Sequence, residues 1–292
     1  MKLRAKVNLT LCGAFVVGLA LAGAGAYKVL TDEAIENSTR DARIMMEEAS
    51  AVRTYTAQYI FPQLQPQLKI QFLPTVVSAF AAQTNFHIVQ KKLPEYNYRE
   101  PTLNPSNLND KAVDWESDII NDFKQNPSKT EMMSIRDTPT GNYLTLSRPL
   151  KVSSEACLSC HSTPENAPPT MVALYGSQNG FGWKLNDIIG AQVVSIPLSV
   201  PLHRAYTSLG WLLGALAVVF IVILLIVDTL LRALVVKPVI GISEMASEVS
   251  MGKLDEPEFT VKTHDEIGSL ASSFNRMRRS LQNAMRMLEE RP

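Results

Sequence analysis

Cys157-Leu158-Ser159-Cys160-His161 is the stretch of this sequence whose residue types and spacing most directly promise chemistry. Two thiols at i and i+3 project from one helical turn, close enough to form thioethers with the two vinyl groups of one haem, and an imidazole directly after them can ligate its iron. The same five residues could instead hold a Cys157–Cys160 disulfide, half of a zinc site or a thioredoxin-like redox pair. A structural zinc site wants four protein ligands, and no second cysteine pair exists. A redox pair gains nothing from the adjacent histidine. Covalent haem c, with His161 as the proximal iron ligand, is therefore the expected cofactor.

The iron's second axial position is open at this stage. His87 is the named candidate for it, alongside Met45, Met46, Met132, Met133, Met171, Tyr55 and Tyr59, and an open or water-ligated iron is the competing expectation. The third cysteine, Cys12, lies in an apolar run near the N-terminus and is not expected to reach the haem. Arg53, Arg99, Arg148 and Lys151 are candidate partners for the haem propionates.

Two apolar runs decide which solvent these residues meet. Residues 7–26 carry no charge and follow Lys2, Arg4 and Lys6; residues 209–227 carry none and precede Asp228, Arg232 and Lys237. Each is long enough to cross a hydrocarbon core about 30 Å thick. Basic residues flanking both outer ends put those ends in the cytoplasm and residues 31–206 outside. A cleaved signal peptide is the alternative for the first run, since its small residues near 22–26 resemble a cleavage site. A lipoprotein signal at Cys12 is disfavoured by the bulky Leu11 before it. Gly18, Ala22 and Ala26 recur at four-residue spacing and could admit a second helix. A formal net charge of zero, with 19% charged residues, argues against nucleic acid as a partner.

The rest must position the motif. Residues 31–64 are rich in helix formers and free of proline until Pro62, so they can prolong the first membrane helix outward. Pro62, Pro66, Pro74, Pro94, Pro101 and Pro105 then break the chain into short pieces. Residues 114–124 read as a helix, and the alternation at Tyr143-Leu144-Thr145-Leu146 and over residues 190–200 reads as strands. The expected fold is α+β.

Around the motif, Tyr96-Asn97-Tyr98-Arg99, Asn104-Pro105-Ser106-Asn107, Trp115-Glu116, Ala167-Pro168, Tyr175-Gly176, Gly180-Phe181-Gly182-Trp183 and Ile189-Gly190-Ala191 follow in order. Over residues 42–200 this resembles the Tll0287-like family, a haem c domain found in bacterial sensor proteins. The resemblance implies a PAS-like fold with haem against the sheet. Phe181 and Trp183 offer flat apolar area to a porphyrin, or a packed hairpin. With no external third cysteine, thiolate-ligated versions of the pocket are not expected.

Beyond the second apolar run, Lys237-Pro238 opens a helix with Val239, Ile242, Met245, Ala246 and Val249, followed by Gly252-Lys253-Leu254. Asp265-Glu266-Ile267-Gly268 opens a second, in which Ile267, Leu270, Phe274, Met277, Leu281, Ala284 and Leu288 alternate at three and four residues. The arrangement resembles a HAMP domain and implies a parallel four-helix bundle in a homodimer.

The organisation expected is a first membrane segment (1–30), an extracytoplasmic PAS-like α+β haem domain (31–206), a second membrane helix (207–236) and an all-α cytoplasmic HAMP coiled coil (237–292), in a bacterial cell membrane with the haem domain periplasmic. No kinase, cyclase or methyl-accepting module follows, so output is expected from a separate cytoplasmic signalling protein or from sequence beyond this chain. A haem-based sensor of a gas ligand or of redox state is the leading function. A membrane-anchored monohaem electron carrier is the alternative, and an enzyme is not expected because no acid–base constellation accompanies the motif.

Overall fold

The computed structural model describes residues 3–253, 257 and 265–289. The chain divides into two compact units, one of residues 27–207 and one of residues 1–26 with 208–292.

The first of these is built on a four-stranded antiparallel sheet: β1 (Asn97–Arg99), β2 (Met132–Thr138), β3 (Gly141–Lys151) and β4 (Ile188–Pro197), in the order β1-β4-β3-β2. Leu144 and Leu146 of β3 lie opposite Ile196 and Val194 of β4, and because side chains alternate across a strand these point to one face. Helix α1 (Leu3–Tyr55) covers that face through Ala42, Met46 and Ala49. Ala34 and Ser38 continue the same buried stripe. Small residues in the stripe let the helix backbone approach the sheet closely. Helix α3 (Ser78–Gln90) adds Ala82 and Phe86 to this core.

The opposite face holds Ala191 and Val193 against Ile119, Ile120 and Phe123 of α4 (Asp114–Gln125). The α4 N-terminus is held by Glu116, whose Oε2 accepts from the Val113 N–H at 3.0 Å. Helices α2 (Phe61–Leu64), α5 (Glu155–His161) and α6 (Pro169–Tyr175) belong to neither sheet core and contribute to a separate apolar cluster.

In the other unit, the start of α1 packs against α7 (Ser199–Leu231). Phe15 stacks on Phe220 with ring centroids 3.8 Å apart, and an added Cβ on Gly23 would sit 3.5 Å from Leu213. Gly18 meets nothing within 4 Å inside the chain. Arg4 pairs with Asp228, to which Asn8 also donates at 3.0 Å. Both apolar stretches are long enough to cross a membrane. Helices α8 (Lys237–Ser250) and α9 (Glu266–Glu289) pack through Ile242, Val249, Ala271 and Phe274. Asp265 caps α9 by accepting from the Gly268 N–H at 3.0 Å. Leu254 lies outside the described residues.

Two π-helical turns, Thr56–Ile60 and Arg232–Val236, each end two residues before a proline, Pro62 and Pro238. Proline lacks the N–H for an i→i−4 bond and its ring crowds the carbonyl four residues back. Widening the preceding turn relieves that crowding without ending the helix. The sequence reading takes Pro62 as a point of breakage; the structure bends the hydrogen-bonding pattern there and continues helically to Leu64.

Candidate functional site

Helix α5 presents Cys157 and Cys160 from one turn, three residues apart. It starts where Ser154 Oγ accepts from the Ala156 N–H at 3.2 Å. Both cysteines are free thiols. Cys160 packs into an apolar cluster of Leu68, Phe72, Val76, Ala167 and Met171, edged by Phe61, Tyr175 and Phe181. Burial pushes the Cys160 thiol above its ordinary pKa. Phe72 meets Tyr175 edge-on at 5.8 Å, and Thr170 Oγ1 donates to the Leu68 carbonyl at 2.6 Å, tying α6 to residues 65–69. The cluster contains no strand residue: its members come from residues 61–77 and 160–181.

His161 is held on two sides. Its Nδ1 lies 2.7 Å from the Gly180 carbonyl oxygen. A carbonyl can only accept, so Nδ1 carries the proton and, in the neutral ring, Nε2 is the nitrogen left with a lone pair. Burial pushes the His161 pKa down, outweighing the opposing pull of the Gly180 carbonyl. The neutral, ligand-competent form is thereby favoured at neutral pH. One ring face is covered by Trp183, with centroids 3.9 Å apart and planes 11° apart.

The donor set fits a covalent haem. Two thiols sit on one turn, an imidazole offers Nε2, and aromatic and aliphatic side chains surround Cys160. Among the described residues no group of three or more His, Cys, Asp or Glu side chains is arranged to hold a metal ion by itself.

The other sequence candidates are dispersed. Of the second-ligand candidates, Met171 lies in the cluster that holds Cys160. His87 is exposed in the last turn of α3. Met46 is fully buried in the α1 sheet core with Met45 at its edge, Met132 borders the α4 core, and Met133 is exposed, its sulfur accepting from Thr39 at 3.3 Å. Tyr55 and Tyr59 are exposed and stack on each other.

The arginines proposed for propionates are already engaged within the protein. Arg53 pairs with Glu100, Arg99 with Glu116 at 3.2 Å, and Arg148 with Glu47 at 2.7 Å and Glu131 at 3.1 Å. Lys151 is exposed at the end of β3. Phe181 does line the apolar cluster, whereas the flat area of Trp183 lies on the His161 ring.

Sequence reasoning missed a buried polar network beside α1. Glu100, 1% exposed at its side chain, accepts from Arg53 and from Tyr98 Oη at 2.7 Å. Gln192 donates to the same Tyr98 oxygen at 2.8 Å, and Gln83 bridges Asp110 and the Glu100 N–H. Burial raises the pKa of Glu100 despite the Arg53 charge, and burial likewise raises that of Asp110. No local pattern marks Glu100, which follows Arg99 in what reads as an ordinary charged pair.

The Tll0287-like family model matches residues 31–197, and the HAMP domain model matches residues 230–283. Among solved structures, the crystal structure of the cyanobacterial heme-protein Tll0287 is 16% identical over 55% of this chain and 95% of that one, with a TM-score of 0.44. No curated protein matches the sequence. The family match covers more than half of the chain and includes the cysteine pair, His161 and the Gly180–Trp183 loop: the chain belongs to the Tll0287-like family and carries a HAMP domain after it.

Proposed function

We propose that the chain is a membrane-bound haem c sensor, with Cys157 and Cys160 as the thioether attachment points and His161 as the proximal iron ligand. The commitment of His161 Nδ1 to the Gly180 carbonyl carries this reading, because it leaves Nε2 as the ligating nitrogen beside two free thiols. Bound there, haem would supply an iron that changes oxidation state or takes a small ligand. The chain's own residues supply a neutral imidazole and an apolar bed from which Leu68, Phe72 and Phe181 exclude water.

HAMP directs the reading toward signalling, since a simple electron carrier needs an anchor and no relay. In this account the domain of residues 27–207 is periplasmic and PAS-like, α1 and α7 cross the bacterial cell membrane, and α8 and α9 form a cytoplasmic four-helix bundle with a second copy. A bundle with two packings a few kcal/mol apart can act as the bistable element that signalling requires. Output passes to a separate cytoplasmic protein or a following module, and the haem domain itself does no catalysis. Among the described residues the buried carboxyls, Glu100 and Glu116, are engaged with Arg53 and Tyr98 and with Arg99.

Absorption spectra of the purified full chain, oxidised and dithionite-reduced, with and without nitric oxide and carbon monoxide, test the sensing role. Shifts with either gas support ligand sensing. Spectra that change with reduction alone restrict the signal to redox state. A chain that transfers electrons while its HAMP helices cross-link identically in both oxidation states would be a carrier instead.

A further inference from the structure

We infer that the loop of residues 176–183 is a clamp that fixes the plane and the donor strength of the His161 imidazole, with Trp183 as its positioning residue. This inference rests on the haem reading above. Three contacts tie the loop to the end of α5: Gly180 O to His161 Nδ1 at 2.7 Å, Gly182 N–H to Ser162 O at 2.9 Å and Trp183 N–H to His161 O at 3.2 Å. Trp183 is thus anchored by backbone to the residue whose side chain it covers, so indole and imidazole keep their parallel stack at 3.9 Å without relying on the stacking energy alone.

The carbonyl that accepts from Nδ1 sits at a position that only glycine fits. Gly180 has φ +83°, a conformation L side chains rarely adopt. It also lies so close to Ser106 that an added Cβ would fall 1.9 Å from Ser106 Oγ and 2.8 Å from its backbone nitrogen. A side chain at position 180 would therefore collide with Ser106 and displace the carbonyl from the imidazole. Hydrogen bonding at Nδ1 pushes electron density toward Nε2, making the ring a stronger donor to iron and favouring the oxidised state. The stack on Trp183 hinders rotation about the His161 side-chain bonds and so holds the ring plane.

The test uses the full-length protein purified with its haem, whose content is read first by the alkaline pyridine haemochrome. Trp183→Leu is expected to retain haem while shifting and broadening the electron paramagnetic resonance of the oxidised iron, and Trp183→Phe, which keeps a flat ring, to restore a spectrum close to wild type. Gly180→Ala is expected to shift the midpoint potential upward, because a weakened Nδ1 bond lowers donation from Nε2. Should the leucine variant lose haem, Trp183→Met, with similar bulk and no ring, carries the same comparison. Haem-loaded Trp183→Leu or Trp183→Met with wild-type resonance and midpoint potential would overturn the clamp. Wild-type protein devoid of covalent haem would instead overturn the reading beneath it.

Discussion

Arg53 of α1 donates to the carboxylate of Glu100, which lies just past β1 with its side chain 1% exposed. The pair joins the helix that enters the domain to the sheet that the helix covers. Glu100 is buried but Arg53 is 27% exposed, so removing Arg53 strands a buried carboxylate at a cost toward the low end of the range of about 3–5 kcal/mol for fully buried pairs. Arg53→Met should therefore lower the melting temperature of the full chain markedly at neutral pH. Adding Glu100→Gln, which removes the stranded charge and can still accept from Tyr98, should recover most of the loss.

The same network gives stability a pH dependence. Burial raises the pKa of both Glu100 and Asp110 in the folded chain. Between the unfolded and folded values the folded chain holds more protons than the unfolded one, so stability is greatest below that window and declines as pH rises through it. Thermal melts across this window should show the decline in wild type and a flatter profile in Glu100→Gln. An equal decline in the variant would show that Glu100 contributes nothing to it.

Much of this arrangement is legible in the sequence, and the exceptions share a cause. Strand β3, helix α4 and the two apolar spans follow from periodicity, because each is a local pattern with one dominant face. The α5 motif is equally local. Sequence periodicity does not identify β2, where Met132 and Met133 read as possible ligands although the strand alternates between half-buried and exposed positions. Arg53, Arg99 and Arg148 look like surface cations because nothing nearby in sequence reveals that Glu100, Glu116 and Glu131 wait on other elements. In sequence Trp183 offers flat area to a porphyrin or to a packed hairpin, and only the return of residues 180–183 onto α5 turns it to the His161 ring. Long-range pairing is the component that residue spacing does not encode.

The apolar seam of α9 predicts where a second copy packs. Ala271 and Phe274 are covered by α8, while Leu270, Met277 and Leu281 on the adjoining stripe are exposed at 47%, 52% and 45%. A parallel bundle of two chains would cover them. Leu281→Cys should give disulfide-linked dimers on mild oxidation in membranes, and Ser272→Cys, on the far side of the helix, should give few. Equal yields at both positions would argue against the bundle.

Covalent attachment at α5 is read from the mass of the denatured, acid-precipitated protein. Wild-type chain made alongside cytochrome maturation machinery should carry the mass of one haem through denaturation, with the added mass on the peptide containing Cys157 and Cys160. Cys157→Ser/Cys160→Ser should lose it completely. A wild-type chain of unmodified mass, or haem that washes away on denaturation, would contradict the account.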